Sequence, residues 1–200
     1  MATTRRGRPP SYSRTAALEQ ALALFWDRGY ESTSIAELTA AMGIGAPSLY
    51  GAFGSKRELF DEVVALYSET YRAFMATALA EEPTLKAGLE RMLREAAAAY
   101  TLPGRPHGCL VISGATNCSS PEVQQTLRGL RNTGVGRLEE LIKAAIDAGE
   151  LAEDADARTL ALSVSVLTQG MAHQARDGTE RRELEAVAAL AVEAWPWAAS

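Results

Sequence analysis

The chain has little with which to do covalent chemistry. It holds two histidines and two cysteines in 200 residues. Cys109 and Cys118 are too few for a disulfide framework. No G-x-S-x-G, Walker loop or HExxH occurs, and His107 and His173 support no Ser/His/Asp or Cys/His constellation. An enzyme is not expected, and neither a cofactor nor a resident metal. Long apolar runs are also missing. The longest charge-free helical stretch, Thr159 to Ala175, has 17 residues and includes Ser, Thr, Gln and His. It is too short and too polar to span a bilayer. The N-terminus is basic and polar, without the apolar run of a signal peptide. A cytoplasmic protein with no membrane partner is expected.

Positive charge is scarce overall. The net charge is −5 at pH 7, which argues against a protein that coats nucleic acid broadly. The distribution is uneven. Residues 1–60 hold 7 Lys/Arg against 5 Asp/Glu, and the remainder holds 13 against 20. An acidic body with a basic tip fits binding by one end. Val/Ile/Thr alternation is absent as well, while alanine and leucine dominate, so the fold class is all-α.

What is present is concentrated between Ser34 and Lys56. Ser34 and Glu37 have the spacing of a capping box. Ile35, Leu38 and Met42 share one helical face, and Gly43 supplies the positive φ that ends the helix. Ile44 fills the corner. Gly45-Ala46-Pro47 opens a second helix with proline in its first turn. Leu49 and Phe53 face inward; Ser48, Tyr50 and Gly51 face out. Ser55-x-x-Glu58 reads as a second capping box. Two short helices with this turn form a helix-turn-helix, whose second helix enters a DNA major groove.

Around this motif the chain divides into three parts. Residues 1–12 are a basic arm, disordered alone, with Arg5, Arg6 and Arg8 placed to lie along phosphates or enter a minor groove. Residues 13–60 are a three-helix head, whose first helix runs from Ser13 to Arg28. Residues 61–200 are the body, and the whole has about nine helices. A helix from Ser55 to about Ala80, stopped by Pro83, carries Leu59, Val63, Leu66, Thr70 and Phe74 on one stripe. At ~1.5 Å per residue it would be a lever nearly 40 Å long. Helices follow at Thr84–Tyr100, Cys109–Asn117, Pro121–Ala148, Asp154 or Asp156 to Arg176, and Thr179–Trp195. Gly129, Gly134 and Gly136 sit mid-helix, for close approach of another helix, a kink, or room for a ligand. The helix ending at Arg176 is apolar nearly all round and needs cover on both sides. The last two helices are therefore expected to pair with their copies in a homodimer, through Leu160, Val164, Leu167, Met171, Leu184, Val187, Leu190 and Ala191.

Two patterns, ALxLFxxxGYxxTSIxxL from Ala21 and MGIGxxSLYxxFGSKxxLF from Met42, resemble the TetR/AcrR family of transcriptional regulators. The resemblance is strong over Ser13–Tyr67 and architectural beyond. It implies an all-α, dimeric repressor that binds a palindromic double-stranded DNA operator and is released by a small-molecule effector. By motif position it places Thr33, Ser34, Gly45, Ala46, Pro47, Ser48, Tyr50 and Lys56 at the DNA. No Arg, Asn or Gln in the second motif helix can make a bidentate base contact, so shape and the arginine arm carry more of the expected readout. A ligand pocket in the body is a further implication. Its candidate lining is Phe74, Met92, Tyr100, Cys109, Ile112, Thr116, Met171 and Gln174, which suits a hydrophobic ligand, aromatic or cationic. No unpaired run of carboxylates argues for a strongly cationic one. A metal- or thiol-redox-responsive regulator using His107, Cys109 and Cys118 is the alternative.

Overall fold

The computed structural model describes residues 13–198, so the expectations for Arg5, Arg6 and Arg8 lie outside the described residues. Ten helices follow one another: α1 (Arg14–Arg28), α2 (Ile35–Met42), α3 (Ala46–Phe53), α4 (Lys56–Tyr71), α5 (Ala73–Glu81), α6 (Leu85–Tyr100), α7 (Leu110–Ser113), α8 (Pro121–Asp147), α9 (Ala157–Arg176) and α10 (Arg181–Glu193). The described residues contain no strand, only an isolated antiparallel bridge between Leu151 and Trp197.

The caps explain most boundaries. Ser34 and Glu37 close the expected capping box, and Gly43 ends α2 in the left-handed region at φ 66°. Asp156, not Asp154, caps α9 by accepting from the amides of Arg158 and Thr159. The second box is only half made. Ser55 Oγ accepts from the Glu58 amide, but the Ser55 amide donates to the Phe53 carbonyl at 3.0 Å. That carbonyl takes the donor the Glu58 carboxylate would need.

The long lever is two helices. It breaks at Arg72, whose φ and ψ of −120° and −8° belong to neither neighbour. No proline or glycine stands at residues 71–73, so nothing local announces the break. Its cause is tertiary. After the break Ala78 is fully buried, and α5 lies so close to α6 that a Cβ on Gly88 would stand 3.4 Å from the Ala78 carbonyl oxygen. The mid-helix glycines of α8 are not explained by close approach within the chain. A Cβ on Gly129, Gly134 or Gly136 would meet nothing within 4 Å, and α8 runs unbroken through all of them.

Candidate nucleic-acid interface and body cavity

The head is held by aromatic packing. Phe25 and Phe60 meet edge to face at 5.1 Å, as do Tyr30 and Phe60. Trp26 meets Tyr67 at 4.8 Å. Leu38, Leu49 and Leu59 are fully buried around them, with Phe53 beside them. Arg14 stacks over the Phe53 ring and pairs with Glu62 at 2.7 Å, tying the start of α1 to α4. The motif helices are thus fixed from one side only.

Their other side is open. Gly45, Pro47, Ser48 and Tyr50 are exposed and Ala46 is half-buried. Tyr50 is 48% exposed, and a Cβ at Gly51 would meet open space. Ser48 and Tyr50 bring the only side-chain hydroxyls on this face of α3. Thr33 does not join them. It is buried, and its hydroxyl donates to the Gly29 carbonyl at 2.7 Å, locking the end of α1. The Ser34 hydroxyl donates to Glu37 at 2.7 Å and its amide donates to the same carboxylate at 2.8 Å. Those bonds hold the Glu37 carboxyl below its ordinary range, and Arg28 pairs with it. The start of α2 is therefore already occupied by a carboxylate. Lys56 is half-buried with its Nζ 4.3 Å from the centre of the Tyr30 ring; burial lowers its pKa.

The head is bolted to the body at four places that the motif patterns do not announce. The Tyr30 amide donates to the Gly114 carbonyl at 2.9 Å. Glu31 accepts from the Ser119 amide at 3.0 Å and hydroxyl at 2.8 Å, which lowers its pKa. Arg57 donates to Thr126 on α8 at 2.7 Å. On the far side, Arg176 at the end of α9 donates to the Trp26 and Asp27 carbonyls at 3.3 and 2.8 Å. Gly114 is required here: a Cβ would stand 2.6 Å from the Leu110 carbonyl oxygen.

The same α7 turn walls a cavity of about 540 Å³ in the body, within the ~300–1,000 Å³ of small-molecule sites. Met92, Tyr100, Cys109 and Ile112 line it; Phe74, Thr116, Met171 and Gln174 do not. Met171 is buried in the core, while Thr116 and Gln174 are on the surface. Sequence reading missed Arg72, Arg131 and Arg137, which also line the cavity. One signal was available. Arg131 falls on the stripe of Leu127, Val135 and Leu138, where an arginine is out of place. Its guanidinium donates to the Val111 carbonyl at 2.6 Å, and burial lowers its pKa. Arg72 Nε and the Tyr100 hydroxyl are buried and have no hydrogen-bond partner. An unpaired buried hydroxyl of this kind costs about 1–3 kcal/mol.

The outer faces of α9 and α10 are apolar and uncovered. Leu162, Val166, Val187 and Leu190 are exposed, Val166 at 68% and Leu190 at 72%. Leu160, Leu167 and Ala191 are half-buried beside them. Val164, Met171 and Leu184 face the chain's own core and are buried there, so they cannot touch a second subunit across this face. Leu162 and Val166 hold the outward positions on α9. Cys109 and Cys118 are buried free thiols. His107 turns its Nδ1 to the Ala175 carbonyl at 3.1 Å. Among the described residues no three His, Cys, Asp or Glu side chains are grouped to hold an ion. No helix among them is long and apolar enough to cross a membrane.

Comparison with known proteins matches both halves. A family profile described as bacterial regulatory proteins, tetR family, covers residues 17–63. A tetracyclin repressor-like C-terminal domain profile covers residues 86–190. The HTH-type transcriptional repressor ComR of Escherichia coli K12 is 32% identical over 96% of this chain and 92% of its own length. The repressor BdcR of the same organism is 31% identical over 97% and 96%. Among solved structures, a cysteine mutant of the TetR family regulator CifR, complexed with 26-base-pair double-strand operator DNA, superposes with a TM-score of 0.88. It is 38% identical and covers 94% of this chain and all of its own. An open α3 face on a three-helix head, joined to a hollow helical body, agrees with these matches: the chain belongs to the TetR family of DNA-binding transcriptional regulators.

Proposed function

We propose that the chain is a repressor that binds a palindromic operator as a homodimer and leaves it when a small molecule fills the body cavity. It acts in the cytoplasm, where that DNA lies. The observation that carries this reading is the shared α7 turn: Val111 and Ile112 wall the cavity, and Gly114, two residues on, accepts the head's Tyr30 amide. The repressor assignment is supported by the ComR and BdcR matches, and DNA as partner by the CifR complex.

The exposed face of α3 supports the DNA contacts, and the exposed apolar strip on α9 and α10 supports the dimer. Ser48 and Tyr50 offer hydroxyls from α3, with Gly45, Ala46 and Pro47 allowing close approach to base edges and thymine methyls. Lys56 swings from the Tyr30 ring to a phosphate, and Arg5, Arg6 and Arg8 add phosphate or minor-groove contacts. The apolar strip of Leu162, Val166, Val187 and Leu190 meets its copy in a second subunit, which sets the two heads ~34 Å apart. Ligand entry shifts the α7 turn and the start of α5, and the heads lose that spacing. The ligand drives this only by binding the released state more tightly.

The test is footprinting on the DNA around the chain's own gene, beside sedimentation of the free protein. One protected palindrome, lost on adding an effector, with a dimer in solution, is the expected result. Broad protection, or a monomer that binds the site with full affinity, overturns the reading. Removing residues 1–9 should weaken binding and flatten its salt dependence.

A further inference from the structure

The cavity is apolar in bulk, yet its charged groups all have one sign. Arg72, Arg131 and Arg137 line it, and no Asp or Glu does. Arg72 and Arg131 lie near enough for each to feel the other's charge, and Arg72 also faces the Tyr100 hydroxyl electrostatically. Arg72 Nε and Tyr100 Oη are both buried donors with no protein partner. Tyr100 is 2% exposed and lines the cavity. Much of the remaining wall is hydrocarbon, including Met75, Leu79, Leu130, Leu138 and Val164.

We propose that the effector is an amphiphilic organic anion, its carboxylate-type head held by Arg72, Arg131 and the Tyr100 hydroxyl and its apolar body packed among Met75, Leu79 and Leu138. This rests on the reading of the cavity as the effector site and narrows it. Guanidinium donors match a carboxylate in shape as well as charge. A cationic ligand would bring a like charge beside two arginines in a poorly hydrated space. A neutral ligand would leave the arginine charges unanswered. The geometry also gives the head a mechanical purpose. Arg72 is the residue at which α4 ends, so an anion drawn to it acts on the end of the helix that begins under the DNA-facing helix α3.

Isothermal titration with isosteric pairs tests the inference. The probes are octanoate, decanoate and 2-naphthoate, each beside its primary amide, with decyltrimethylammonium as the cation. At least one carboxylate should bind tenfold or more tightly than its own amide, and the cation should not bind. In Arg72→Gln and in Arg131→Gln the carboxylate should weaken tenfold or more while the amide changes less than threefold. Tyr100→Phe should weaken the carboxylate severalfold. Circular dichroism of each variant checks that it is folded, and either arginine variant suffices if the other is not. Amide binding equal to that of the acid, or cation binding, overturns the anion inference and leaves the cavity as the effector site. Binding of no probe, acid or amide, overturns both.

Discussion

In the head, Phe25, Tyr30 and Phe60 interlock at 5 to 6 Å and Thr33 bonds back to Gly29, while Trp26 Nε1 is a buried donor without a partner. In the body, a chain of similar apolar content leaves a cavity of about 540 Å³ and leaves Arg72 Nε and the Tyr100 hydroxyl unpartnered. The filled unit has one arrangement of lowest energy. The hollow one has a surface whose energy depends on what occupies it. A DNA-reading head needs the first property, because base and phosphate contacts tolerate little displacement. A body proposed to report a ligand needs the second.

The largest test of this contrast strikes the filled side. Phe60→Ala removes the ring shared by Phe25 and Tyr30 and should cost about 3–5 kcal/mol, read as a lowered denaturant midpoint with loss of operator binding. A loss below 1 kcal/mol would mean that the head packs more loosely than its geometry indicates. Next comes the joint between the two regions. Arg176→Ala removes the bonds to the Trp26 and Asp27 carbonyls. Because the side chain is largely exposed, the expected cost is about 1–2 kcal/mol. Amide exchange at the end of α1 should quicken while the middle of α8 stays protected.

The hollow side should respond with the opposite sign. Tyr100→Phe deletes an unpartnered hydroxyl and should leave the ligand-free protein equal in stability or more stable by about 1 kcal/mol. A clear loss in thermal unfolding would show that the hydroxyl is satisfied. The smallest effect is one of pH. Glu31 has a carboxyl held below its ordinary range by the Ser119 amide. A depressed carboxylate stabilises the fold above its unfolded pKa, and that contribution fades as pH falls through the folded value. Glu31→Gln should therefore lower stability slightly at neutral pH, converge on the parent as pH falls, and so flatten the acid limb of the stability profile.

Much of the head was legible in sequence because its signals are local. Ser34 with Glu37, Gly43, and the Leu49–Phe53 pair each act within one or two turns, and the structure keeps all of them. Thr33 was misread because a hydroxyl before a helix looks the same whether it faces out or bonds back to Gly29. In the body the failures share one cause: partners distant in sequence. The break at Arg72 accompanies the packing of α5 against α6 beside Gly88, and no residue near position 72 records that. The outward stripe of α9 was unreadable because Leu160 and Val164 make one face apolar and Leu162 and Val166 the opposite one. Only contact with the chain's own α6 and α8 sorts Val164 inward and Val166 outward. Arg131 was the one body feature with a visible sign, a charge on an apolar stripe.

The break at Arg72 also changes the leverage available to a bound molecule. A rod pivoted at one end turns through an angle set by the push divided by its length. As 16 residues, α4 is about 24 Å long rather than the 40 Å of an unbroken helix. A push of about 1 Å at its cavity end turns it by about 2.4°, against about 1.4° for the longer rod at the same rise per residue. The shorter arm trades reach for rotation, and rotation is what aims a helix across a groove.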